Sequence, residues 1–217
     1  RDCLLSRGLE MCIRDRYYVV PNKAEDGRSG KWSRGPGKKL TDAIEKVIGD
    51  THIIVEDIAG KSPIPGVKKL MARTGWPGIK ILMFAFGDDT ANEHLPHNYT
   101  DCNLVVYAGT HDNETLVSWY QTITAAERAM VRDYLYDYAT PEEQLYKSMI
   151  ALILRSAAAT CIIPMQDWLG LDNSARINQP STVGQNWRWR LKKPQLTKKL
   201  QKEICQLTTR YGRKNWA

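Results

Sequence analysis

Two places in this 217-residue chain set acids directly after an apolar run. In the first, Ile53-Ile54-Val55 leads into Glu56 and Asp57, within the stretch His52 to Gly60. In the second, Asn103 to Ala108 leads into Gly109-Thr110-His111-Asp112-Asn113. A short run of this kind reads as a strand buried on both faces, as in a parallel sheet. Carboxylates at the end of such a strand stand where α/β barrels place their chemistry. Two carboxyl groups roughly 5–5.5 Å apart serve a retaining glycosidase, one as nucleophile and one as acid/base. The acid must hold its proton near neutral pH, so burial or a neighbouring carboxylate must raise its pKa. The same residues also have a structural reading, because acids at strand ends cap helices or bind loop backbone. Glu56 and Asp57 cannot both face the same side, since adjacent strand residues point to opposite sides.

Those acids need a scaffold, and the pattern around them describes one. Tyr17 to Pro21 reads as a short strand and Asn22 to Arg34 as a polar, glycine-containing loop. A helix follows Gly35-Pro36-Gly37, with Leu40, Ile44, Val47 and Ile48 on one face and Gly49 at its end. The strand His52 to Glu56 is next, then a short helix from about Val67 to Arg73 and a strand Ile79 to Phe86. Gly87 to Asp101 is a long polar loop, and Asn103 to Ala108 is a third strand. Two helices are expected from Ala125 to Tyr138 and from Pro141 to about Ala158, each after a Thr cap. A fourth strand covers Thr160 to Pro164, and Leu196, Leu200, Ile204, Leu207 and Tyr211 outline a last helix ending at Gly212. This alternation predicts an α/β fold with about four parallel strands and flanking helices. Four β/α units are about half of a (β/α)8 TIM barrel.

Composition narrows the function classes. Apolar and charged fractions of 42% and 25% suit a globular protein with a real core. No stretch reaches the roughly 18–20 apolar residues of a membrane span, so no membrane partner is expected. The net charge of +7 is concentrated beyond Lys192, where Lys192, Lys193, Lys198, Lys199, Lys202, Arg210, Arg213 and Lys214 face Glu203 alone. A basic tail helix is ordinarily a solvated face, and this one lacks interleaved aromatics, so no nucleic-acid partner is expected. Cys3, Cys12, Cys102, Cys161 and Cys205 form no C-x-x-C pair, which points to reduced thiols and a cytoplasmic location. No His, Cys and carboxylate group has metal spacing and no glycine-rich phosphate loop follows a strand, so neither metal nor cofactor is expected.

From Tyr17 onward the chain resembles the 4-α-glucanotransferases, the amylomaltases of glycoside hydrolase family 77. The residues that carry this are Tyr17 to Pro21, Gly30-Lys31-Trp32, Ile54 to Gly60, Pro77 to Leu82 with Phe84-Ala85-Phe86, and Leu95-Pro96-His97-Asn98-Tyr99. They continue with Gly109 to Thr115, Gln166-Asp167, Arg176 with Asn178, and Asn186-Trp187-Arg188-Trp189-Arg190. The T-H-D-N run alone is weak; P-H-N-Y together with N-W-R-W-R is specific. The resemblance implies the C-terminal half of a TIM-barrel catalytic domain acting on maltooligosaccharides or other α-1,4-glucans. It implies that Glu56 is the general acid/base and that Asp112 grips the donor sugar and helps distort its ring. It implies that His111 touches the donor sugar and that Phe84, Asn178 and Trp187 line the groove. Each aromatic has core packing as its alternative. His97 has two readings, a ligand contact or a loop-ordering hydrogen bonder.

One departure bears on activity. The family carries its nucleophile, an Asp in an R-I-D-H-F-R-G-F-like strand, shortly before the Tyr17 segment. Here that place falls near Gly8-Leu9-Glu10, and no such motif is present. Residues 1–16 read as a non-native leader resembling translated adapter sequence, and residues 17–217 as the C-terminal part of the catalytic domain. The expectation is a truncated gene whose intact parent is a glucanotransferase, with this chain inactive alone. The alternative is a non-catalytic α-glucan-binding protein that retains half of the site.

Overall fold

The structure is a computed structural model and describes residues 16–22, 29–49, 53–58, 65–87 and 89–214. The proposed leader up to residue 15, and His52, Ala59 and Gly60 of the first acidic stretch, lie outside the described residues. The chain divides into two compact units, Arg1–Ile79 and Lys80–Ala217.

The first unit opens with β1 (Arg16–Val19), which pairs antiparallel with β2 (Lys31–Arg34), Tyr17 opposite Ser33 and Val19 opposite Lys31. β2 lies inside the predicted loop, a correction. Its four residues are too few for a hydrophobic period, and pairing with β1 is what makes them a strand. Helix α1 (Lys38–Ile48) ends at Gly49, whose φ of 58° no β-carbon has to accommodate. Its apolar stripe is only partly covered: Leu40, Ile44 and Ile48 are half-buried, Val47 is 83% exposed, and Thr41 is its buried residue. An amphipathic face is buried only where a second surface meets it. Helix α2 (Pro65–Thr74) is tied to α1 by Asp42, which accepts from Lys38 and, at 2.5 Å, from Arg73. Gly75, with φ of 68°, ends α2.

The first acidic stretch is not the fully formed strand expected. Val55 makes an isolated parallel bridge to Gly78, its N–H donating to the Pro77 carbonyl at 2.8 Å. Val55 is buried and packs with Ile53, Met71 and Trp76, whereas Ile54 is 40% exposed. A strand buried on both faces needs cover on both, and the described residues of this unit supply it on one. Asp57 takes the structural role: its Oδ1 accepts from the Ile79 N–H at 2.9 Å. A β-carbon on Gly78 would stand 2.8 Å from Asp57 Oδ2, so this crossing requires glycine. Gly78→Ala should cost about 1–3 kcal/mol, because Asp57 is pinned and cannot withdraw freely. The check is a lower urea midpoint at unchanged slope.

Strand β3 (Gly78–Ile81) carries the chain onward into the 3-10 turn Leu82–Phe84, so the predicted strand to Phe86 stops five residues early. The sheet runs in the order β3-β4-β5, with β4 (Leu104–Tyr107) and β5 (Thr160–Ile162) parallel and Val106 beside Cys161. The second unit thus has the expected α/β character, although the strands are shorter than read. Helix α3 (Leu116–Thr122) was not predicted. Its signal is present all the same: Thr115 caps it, and Leu116, Trp119 and Tyr120 are buried at helical spacing. Helix α4 (Ala125–Leu135) starts on a capping box, Thr124 with Glu127, and stops at Tyr136, three residues short of the prediction.

The next helix begins later and ends earlier than read. Glu142–Gln144 is a 3-10 turn, and α5 (Tyr146–Leu154) follows without a Thr cap. Its Met149, Ile150, Ile153 and Leu154 fill the core with Val105, Val106, Leu116 and Val131. Short helix α6 (Met165–Trp168) follows β5, and α7 (Lys198–Arg210) is capped by Thr197. The basic tail is partly structural. Arg213 donates to the carbonyls of Leu154, Ser156 and Ala158 at 2.8, 2.7 and 2.5 Å, closing the end of α5. Lys147 of α5 meets Glu203 of α7 at 2.7 Å. Among the described residues, no helix is long and apolar enough to cross a membrane.

Candidate functional site

Strand β4 delivers its C-terminal end into Gly109-Thr110-His111-Asp112-Asn113, and this turn is tightly specified. Asn113 Oδ1 accepts from the Thr110 N–H and from the Thr110 hydroxyl, both at 2.8 Å. A β-carbon on Gly109 would approach Met83 Sδ to 2.9 Å, so the backbone passes close over the core. Beyond the turn, Thr115 caps α3, and two side chains from the segment after β5 anchor it from across the site. Asp167 Oδ1 accepts from the Leu116 N–H at 2.7 Å, and Asn173 Oδ1 accepts from the Thr115 N–H at 3.2 Å. Asp167 is buried at 1% exposure. Burial pushes its pKa up to about 7, against the opposing pull of the Leu116 N–H.

The predicted donor-sugar residues come together here, although 64 to 66 positions separate the two segments that carry them. Asn178 donates its side-chain amide to Asp112 Oδ1 and its backbone N–H to the His111 carbonyl at 3.0 Å. His111 Nε2 lies 3.5 Å from Asp112 Oδ1. The His111 and Trp187 rings stack with centroids 5.1 Å apart at 34°. Trp187 is 57% exposed, and its φ of 66° is a left-handed conformation that costs a tryptophan of order 1–2 kcal/mol. Its N–H donates to the Ile177 carbonyl at 2.7 Å, and Arg190 donates to its carbonyl at 2.7 Å, so both sides hold the strained residue. Core packing is therefore not what this ring does.

Arg176 is the residue whose role went unread. Its guanidinium donates to the Asp112 carbonyl at 2.6 Å and to the Asn178 carbonyl at 3.0 Å. It thus locks the acid and its amide partner into one frame. Nothing in the spacing signals this, because Arg176 acts on a turn far away in sequence. His111 and Trp187 of this group border an open cleft of about 460 Å³, with Tyr107, Met165, Trp189 and Arg190 also on its walls. The imidazole and indole faces on its walls can meet the apolar face of a polyhydroxylated ring.

The other predicted residues lie on other segments of the chain. His97 is tied on both ring nitrogens, Nδ1 to the Tyr134 hydroxyl at 2.9 Å and Nε2 to the Thr90 carbonyl at 3.2 Å. Phe84 follows β3, is 40% exposed and meets His94 edge-on at 5.7 Å. Glu56 belongs to the first unit, where it is half-buried directly after the Val55 bridge.

A sequence profile of the 4-alpha-glucanotransferases, glycoside hydrolase family 77, matches residues 14–197. The chain belongs to that family. It is 41% identical over 199 residues to a 4-alpha-glucanotransferase of Clostridium butyricum, covering 92% of this chain and 40% of that one. It is 43% identical over 175 residues to a chloroplastic/amyloplastic 4-alpha-glucanotransferase of Arabidopsis thaliana, covering 81% of this chain and 30% of that one. Among solved structures, it resembles an amylomaltase from Streptococcus agalactiae in complex with acarbose, with a TM-score of 0.85 and 34% identity. That match covers 93% of this chain and 40% of the amylomaltase. An amylomaltase from Corynebacterium glutamicum, at 17% identity and a TM-score of 0.61, shares the fold. The chain thus spans 30% to 40% of the length of the 4-alpha-glucanotransferases named here.

Proposed function

We propose that a protein containing this chain transfers α-1,4-glucan segments between maltooligosaccharides by a retaining double displacement. Residues 17–217 form the C-terminal half of its (β/α)8 barrel, and the nucleophilic carboxylate comes from the preceding half. Glu56 protonates the glycosidic oxygen as the bond to the anomeric carbon breaks and the nucleophile bonds that carbon. Its carboxylate then takes the proton from an acceptor sugar hydroxyl, which attacks the same carbon and releases the nucleophile. Asp112, held by Asn178 and Arg176, accepts donor-sugar hydroxyls, and the His111–Trp187 stack presents an apolar face to the ring. Phe84 contributes a further aromatic surface. The free thiols Cys102, Cys161 and Cys205 suit a cytoplasmic enzyme.

The observation that carries this reading is the convergence of His111, Asp112, Asn178 and Trp187 in a chain of this family. It is tested by joining the preceding part of the Clostridium butyricum relative ahead of Tyr17. That chimera should disproportionate maltotriose, whereas the 217-residue chain alone should not, because it brings no nucleophile to form the covalent intermediate. Chromatography of the products decides it. Turnover by the chain alone would overturn the two-part assignment, and an inactive but folded chimera would overturn the activity.

A further inference from the structure

Gln166 and Asp167 are neighbouring polar residues buried to 4% and 1% exposure, and the double displacement uses neither. Burying an amide and a carboxyl is costly unless each is hydrogen-bonded. Short helix α6 sends the two side chains to different segments. Asp167 takes the Leu116 N–H at 2.7 Å, just beyond the Asp112 turn. Gln166 Nε2 donates to the Ala175 carbonyl at 3.2 Å, directly before Arg176. Ala175 is itself 3% exposed, so its carbonyl needs a donor from the protein.

Those two segments are the ones that fix Asp112. One is its own turn. The other carries Arg176, which donates to the Asp112 carbonyl at 2.6 Å, and Asn178, whose N–H donates to the His111 carbonyl at 3.0 Å. Asn173 also joins the segments, its Oδ1 accepting from the Thr115 N–H at 3.2 Å. Gln166 adds the attachment next to Arg176. Between α6, the turn and residues 175–177 lies a space of about 10 Å³, lined by Thr110, Asn113, Gln166, Asp167, Ala175 and Arg176 among others. That is no more room than one water molecule needs, and parts packed so closely transmit each other's shifts.

We infer that Gln166 is a positioning residue for Asp112. With Asp167 as the other arm of one brace, it holds the Arg176 segment where Arg176 and Asn178 aim the Asp112 carboxylate. This rests on the reading that Asp112 grips a donor sugar. Gln166→Leu, which removes the amide at similar volume, tests it in two ways. In the 217-residue chain the Asn178 N–H should exchange with solvent about tenfold faster, while the Val106 N–H of β4 keeps its wild-type rate. In the chimera, glucosyl fluoride serves as donor because its ready departure keeps slow variants measurable. There the substitution should lower kcat/KM by about 10–100-fold. In an Asp112→Ala background it should cost less than about twofold, because no carboxylate is left to aim. Should Gln166→Leu fail to melt cooperatively, Gln166→Met replaces it with the same expectations. Unchanged exchange at Asn178 overturns the positioning role, and with an inactive chimera that measurement alone decides. An undiminished cost in the Asp112→Ala background also overturns it, since Gln166 would then act without Asp112. Wild-type turnover by Asp112→Ala overturns the reading of Asp112 instead.

Discussion

Glu56→Gln in the chimera described above lowers kcat for maltotriose disproportionation by about 10²–10⁴-fold, the range general acid/base catalysis contributes. The local structure supports this assignment. The Val55 bridge buries one side chain, Asp57 is spent on the Ile79 N–H, and Gly78 leaves room for that contact. Alternation then puts Glu56 on the side opposite Val55 and Asp57. Glutamine keeps the size and a hydrogen-bonding head but cannot release a proton, so folding should survive. The loss should depend on the leaving group. Glucosyl fluoride departs without protonation, so the first step with that donor should be nearly unaffected. Near-normal turnover of maltotriose by the variant would remove Glu56 from the chemistry. An equal loss with both donors would make its role positional.

Asp167→Asn becomes more stable relative to the wild type as pH rises from about 4 to about 8, by roughly 2–4 kcal/mol. The sign follows from the raised pKa. Unfolded Asp167 releases its proton near pH 3.9, whereas the folded carboxyl holds it until about 7. The stability it contributes is therefore fully present below about pH 4 and is lost as pH passes through about 7. Asparagine retains the acceptor for the Leu116 N–H and carries no charge to bury. Other carboxylates act in the opposite sense. Asp42, Glu127, Asp137 and Asp172 are held low by hydrogen bonds from Lys38, Thr124, Ser148 and Ser174, but they are common to both proteins. Urea unfolding at a series of pH values isolates Asp167 in the difference, and parallel curves for the two proteins would refute its buried protonation. Asp167 secures the start of α3 just after the Asp112 turn, so its ionisation should also loosen that turn.

Much of this protein was legible in its residues. The α/β alternation, the cap at Thr124 and the glycine at the end of α1 are local signals that depend on neighbours a few positions away. The ordered motifs carried the family, and with it Asp112 and Asn178 as separate candidate site residues, while their pairing came only with the fold. What escaped was set at long range. β2 exists because β1 pairs with it, and the strand at Val55 shrinks to one bridge because the described residues of its unit cover one face. The stripe of α1 is correctly periodic yet exposed at Val47, since periodicity says which face is apolar and never whether a surface meets it. Arg176 reaching Asp112, Asp167 sealing α3, and Trp187 held left-handed against His111 join residues far apart in sequence or depend on backbone strain. Hydrogen-bond geometry and burial decide such contacts, and both are properties of the folded chain: sequence supplies the donors, acceptors and rings, and only packing chooses which of them meet.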